Sequence, residues 1–118
     1  MASSIIKRTK DYTTSWSDFN GAVEAKRNGK IVTIRINFTD GNALTVQSSG
    51  MNELLTLPSN YRPNNINYSV LFDGKRKSDF CIKLRIEANG LLSYEVDTNV
   101  SPIGTKVTPK GTVTYILN

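Results

Sequence analysis

At 118 residues the chain has the length of one domain, enough to bury a core without covalent staples. It has no His and one Cys, Cys81, which excludes His-dependent nucleophilic sites, His-bearing zinc sites, internal disulfides and Cys-clustered metals. A net charge of +5 admits a polyanionic partner, but the Lys and Arg residues are scattered apart from Lys75-Arg76-Lys77.

These absences favour a binding or structural module over an enzyme, with no cofactor and no metal. Ten carboxylates exist, but most fall at turns or on outward strand positions, which is poor ground for an opposed glycosidase pair. No run approaches the ~20 apolar residues of a membrane span. The start, Met1 to Arg8, lacks the apolar stretch of a signal peptide.

The chain reads as all-β. Gly, Asn, Asp, Ser and Pro recur at short intervals between stretches rich in Val, Ile, Thr and Tyr. Ala22 to Arg27 runs into Asn28-Gly29, a hairpin signal of the type I′ kind, and then into a strand from Lys30 to Phe38. In that strand Val32, Ile34, Ile36 and Phe38 alternate with Thr33, Arg35 and Asn37, the period of a half-buried strand. Asp40-Gly41-Asn42 closes it, and Ala43 to Gln47 reads as a further short strand. One helical turn is allowed near Ser49 to Leu55, where Met51, Leu54 and Leu55 share a face.

Leu55 to Pro63 holds two prolines and reads as an ordered crossover with Leu57 and Tyr61 packed down. Ile66 to Phe72 is a weaker strand. Asp73 to Asp79 is a polar loop carrying the basic cluster. Asp79 to Ala88 is a clear strand with Ile82, Leu84, Ile86 and Ala88 inward and Lys83, Arg85 and Glu87 outward. Asn89-Gly90 reads as a second I′ turn into Leu91 to Val96, with Leu92, Tyr94 and Val96 on one face. Ile103 to Val107 is weak, and Gly111 to Leu117 is the last strand. About eight strands in this length predict a two-sheet antiparallel β-sandwich, with an OB-like barrel second.

The block Leu57-Pro58-Ser59-Asn60-Tyr61-Arg62-Pro63, with Trp16 ahead of it, resembles the C-terminal head domain of tail fibres and receptor-binding proteins from phages of Gram-positive bacteria. Asn28-Gly29 into Ile31-Val32-Thr33-Ile34, then Ala88-Asn89-Gly90-Leu91 and Thr112-Val113-Thr114-Tyr115, complete the ordered set. Where the family often has Gly, this chain has Asn60, which also tolerates positive φ. The resemblance implies a β-sandwich head over residues 16–118 and a leader or shaft remnant over 1–15. It implies a homotrimer joined to the rest of a tail fibre. The implied ligand is a host cell-wall polysaccharide or teichoic-acid-like polymer. The place of action would be the virion tail tip, after synthesis in the bacterial cytoplasm.

The ligand-binding candidates follow from chemistry. The Trp16 indole suits the apolar face of a pyranose, although it equally suits a core or interface anchor. Arg62 can grip an anion bidentately or fork onto backbone carbonyls. Asn65 and Tyr68 offer an amide and a phenol to sugar hydroxyls. Lys75, Arg76 and Lys77 would attract a polyphosphate. Two other readings stand beside this one. A single-stranded nucleic-acid binder needs aromatics alternating with cations on one outer face, and the strands at Lys30–Phe38 and Asp79–Ala88 lack them. A ligand-free structural decoration of a tail or baseplate is the third.

Overall fold

The computed structural model describes residues 13–75 and 77–118, with the side chains of residues 77–79 left aside. The strands are β1 (Thr13–Asp18), β2 (Val23–Asn28), β3 (Ile31–Asn37), β4 (Leu44–Thr45) and β5 (Asn52–Thr56). They continue with β6 (Asn67–Asp73), β7 (Lys77–Ile86), β8 (Leu91–Asp97), β9 (Lys106–Val107) and β10 (Pro109–Ile116). Eight form one curled sheet in the order β1-β2-β3-β10-β6-β7-β8-β5, and β4 pairs with β9 in a small second sheet. Every pairing is antiparallel. The chain is thus all-β, as its alternation predicts. Among the described residues no helix is long and apolar enough to cross a membrane.

The large sheet has two halves, β1-β2-β3-β10 and β6-β7-β8-β5. Among the described residues the ladder between them is Pro109–Lys110 against Asp73–Phe72. Pro109 opens its strand, where a missing N–H costs no ladder bond, and its carbonyl accepts from Phe38 N at 3.0 Å. Beyond that corner the halves turn their apolar faces onto one core. Val32, Ile34, Ile36 and Phe38 of the first half meet Ile82, Leu84, Ile86 and Leu92 of the second. Burying each such side chain contributes about 1.5–3 kcal/mol.

The crossover after β5 plugs one end of this core. Leu57 and Tyr61 are buried there, as expected. Leu57 N donates to Gly90 O at 2.9 Å, and Arg62 Nε donates to Leu57 O at 2.8 Å. The Tyr61 hydroxyl donates to Thr14 Oγ1 at 2.9 Å, tying the plug to β1. The buried Tyr115 hydroxyl donates to the Tyr61 carbonyl.

Burial raises the Tyr115 phenol above its ordinary value of about 10. The folded state therefore favours the neutral phenol. Its contribution is whole below pH ~10 and falls as pH rises toward the folded value. Urea midpoints measured from pH 8 to 11 are expected to decline above pH 10. Tyr115→Phe is expected to flatten that decline while lowering stability by ~1 kcal/mol at pH 8.

Several local expectations are corrected. β2–β3 pairs Asn28 with Ile31, so the loop is Gly29-Lys30 rather than Asn28-Gly29. Gly29 has φ +64° and Lys30 is not left-handed, the type II′ arrangement with Gly first. The β7–β8 loop is not I′ either. Gly90 N bonds to Glu87 O at 2.8 Å and Glu87 N to Leu91 O at 3.0 Å, giving a three-residue loop with Gly90 at φ +91°.

Ala88 lies in this loop and is exposed, not inward. Ser49–Leu55 holds no helical turn: from Asn52 it is strand β5, paired with β8. The strand expected over Ala43 to Gln47 shrinks to Leu44–Thr45. The polar loop expected from Asp73 to Asp79 is short. Asp73 is buried at the end of β6, and β7 begins at Lys77. There the Asp73 carboxylate accepts from Thr108 N at 2.8 Å and Thr108 Oγ1 at 3.1 Å.

Candidate binding face

β6 is inverted. Its inward positions are Asn67, Ser69, Leu71 and Asp73, while Tyr68, Val70 and Phe72 face outward at 68%, 70% and 58% exposure. A one-residue slip would bury the three large side chains and expose Leu71. The register is held by the buried Asp73 bracket to Thr108 and by Leu71 packing where a Cβ on Gly111 would sit. A line of large apolar side chains held outward marks a contact surface.

The register places their neighbours. Tyr68 pairs with Arg85, which pairs with Ser93, which pairs with Glu53. Val70 pairs with Lys83, which pairs with Glu95. Directly paired residues share a face, so these side chains form a grid on the outside of the second half. A groove of about 210 Å³ lies in the grid, lined by Met51, Tyr68, Lys83, Arg85 and Glu95. Ser93 is 1% exposed, and its Oγ, like Arg85 Nε, is buried with no hydrogen-bond partner among the described residues.

The charge on this face is mixed. Lys83 Nζ lies 3.6 Å from Asp97, Arg85 lies 3.5 Å from Glu87, and Glu95 lies beside both cations on the grid. Surface pairs of this kind add little stability, but they cancel the field that a polyanion would need.

The expected site residues scatter. Tyr68 lies in the groove. Asn65 is exposed in the loop before β6, where its carbonyl accepts from Asn67 Nδ2 at 3.1 Å. Arg62 is engaged with the Leu57 carbonyl in the plug. Trp16 is half-buried on β1 and packs against the core. Lys75 Nζ lies 3.5 Å from Asp40, at a cleft of about 410 Å³ that also holds Lys110. Lys110 Nζ is itself bonded to Asn37 Oδ1 at 2.9 Å and Phe38 O at 2.7 Å. Arg76 lies outside the described residues, as does the side chain of Lys77.

Sequence reasoning placed Lys83 and Arg85 outward but missed Val70, Phe72, Met51 and Glu95. Nothing in the alternation of Tyr68, Val70 and Phe72 with Asn67, Ser69, Leu71 and Asp73 marks the first set as outward; the inversion comes from the pairing of β6 with its neighbours. Among the described residues no three His, Cys, Asp or Glu side chains gather as a metal site. Protein-family models were compared with the chain and none matches; curated proteins were compared and none matches.

Proposed function

We propose that the chain is a non-catalytic attachment domain of a phage tail tip that binds a host-surface saccharide through the outer face of β6–β7–β8. The inverted register of β6 carries this reading, because it holds Tyr68 outward beside Arg85, Lys83 and Glu95. An exposed phenol ring suits the C–H face of a pyranose, and charged donors and acceptors around it suit hydroxyls. Mixed charge favours a neutral or zwitterionic saccharide over a teichoic-acid-like polyphosphate, since Lys75 and Lys110 are already partnered within the chain. The exposed Val70 and Phe72, on the same strand face, suit contact between copies in a homotrimer. Weak single sites then gain by multivalency.

Single-stranded nucleic acid is the second reading, and one observation favours it. Tyr68 and Phe72 stand exposed on one strand beside Lys83 and Arg85, the pattern absent from the strands weighed for it in the sequence. The carboxylates of Glu87, Glu95 and Asp97 around those cations oppose it.

The test is binding to bacterial cell-wall polysaccharides, to purified teichoic acid and to an oligothymidine, each at low and high salt. Saccharide binding that ignores salt and weakens about tenfold or more in Tyr68→Ala is the expected result. Tyr68 is so exposed that this variant should keep its fold. Salt-sensitive oligothymidine binding would transfer the face to nucleic acid. Light scattering should give a mass near three times 13.1 kDa, and a monomer would count against assembly by the isolated chain.

A further inference from the structure

A second cleft, of about 430 Å³, lies where the β1–β2 turn meets β4 and the start of β5. Phe19, Leu44, Leu54 and Tyr94 supply its apolar lining. Thr45, Gln47, Ser48 and Glu53 supply most of its polar lining. Trp16, Arg62, Asn65, Tyr68 and Lys75 do not line it.

Two features show that the cleft is built. Phe19 stands at φ +53°, followed by Asn20 at +54° and Gly21 at +88°. A bulky residue in the left-handed region costs roughly 1–2 kcal/mol and persists only where its surroundings hold it. Here the Asp18 carboxylate accepts from Phe19 N at 2.7 Å, and the Phe19 ring meets Phe38 edge-on at 5.5 Å. The other wall is fixed by Asn52, buried at 6% exposure. Its Oδ1 accepts from Gln47 N and Ser48 N, both at 2.9 Å. Its Nδ2 donates to Ser48 O at 3.1 Å and Gly50 O at 3.2 Å.

The lining selects the ligand class. Among the described residues Glu53 is the one charged side chain lining it, so an anion, including a nucleic-acid phosphate, is repelled. β5 is an edge strand, but its ladder to β8 shifts register between Glu53 and Leu55. A bulge at an edge discourages the addition of another strand, so an extended peptide is disfavoured. Aromatic and aliphatic walls with an amide, hydroxyls and one carboxylate remain, and these fit a pyranose with its apolar face down.

We infer that this cleft is a second saccharide subsite, selective for a neutral or amine-bearing sugar unit. The inference rests on the reading of the chain as a saccharide-binding domain and adds a site to it. Two sites on one domain would let it hold two units of one polymer chain and multiply weak affinities.

The experiment is a methyl and amide NMR titration of the full chain with glucose and with N-acetylglucosamine. Sodium phosphate and a short extended peptide serve as comparison probes. Shifts at Leu44 and Leu54, which line this cleft and not the outer groove, with either sugar, reduced at least fivefold in apparent affinity by Glu53→Gln or Gln47→Ala, are expected. Both variants change exposed side chains, and unchanged spectra elsewhere will show that they fold. Sugar shifts confined to Tyr68, Lys83 and Arg85 would overturn this subsite and leave the outer face standing. No sugar shift anywhere would overturn both. Shifts at the cleft with phosphate or the peptide, and not with sugar, would also overturn it.

Discussion

Gly90→Ala is expected to lower stability by roughly 2–4 kcal/mol, read as a drop in the urea midpoint with unchanged slope. Two effects combine. Gly90 stands at φ +91°, where a β-carbon is strained in any surroundings. The added carbon would also lie 2.8 Å from the Leu57 carbonyl oxygen and 2.7 Å from Arg62 Nε. Those two atoms are partners in the bond that pins the crossover. The Arg62 stem is flexible, but the Leu57 carbonyl is backbone and is itself anchored by Leu57 N to Gly90 O. The hairpin or the plug must therefore move. A loss under 1 kcal/mol would mean that the crossover relaxes freely and does not close the core.

Asn52→Ala is expected to cost a similar ~2–4 kcal/mol. The substitution removes one side chain and strips partners from several backbone groups of residues 47–50 at once. The loop that forms one wall of the Phe19 cleft loses its bracket. Hydrogen exchange should then show faster amides at Gln47 and Ser48, while the amides of β3 slow or quicken only with global stability. Unchanged exchange at those two amides would show that the loop is held by something else. Asn52→Asp keeps both acceptor bonds and loses the donors, so it should fall between wild type and Ala.

The strands that were legible in the sequence are those with one buried face and clean alternation. Val32, Ile34 and Ile36 fix β3, and Ile82, Leu84 and Ile86 fix β7. β1 gave no such sign, because only Trp16 among its six residues is even half-buried. β5 misled because its bulge puts Leu54 and Leu55 side by side in sequence and breaks the period of two. β6 was legible only as a weak strand, and the sequence assigned it no inward face, so its outward Tyr68, Val70 and Phe72 appear only with the pairing.

Both hairpins announced themselves by Asn-Gly, yet neither uses that pair as the centre of a type I′ turn. The dipeptide marks that a turn occurs. The register of the flanking strands decides which residues occupy it. Asp73 reads as a loop residue and Asn52 as part of a possible helical turn, and only the fold shows that their burial organises the segments around them. The candidate site was half visible for the same reason. Its cations follow from alternation on β7, whereas Glu95 and Met51 join them only through the pairing of β5 and β8.

The ladder between β3 and β10 has a consequence for biosynthesis. Ile31 pairs with Ile116 and Ile34 with Val113, so the central pairing of the first half joins distant parts of the chain. β10 also supplies the corner with β6, which makes it the strand that unites both halves. It is the last of these strands to leave the ribosome. Until it does, β3 offers an open edge and the core stays uncovered on one flank. Such non-local pairing places folding in the slow, milliseconds-to-seconds class. The nascent chain must therefore travel with β3 unsheltered until β10 has emerged, and acquire its shape only from that point on.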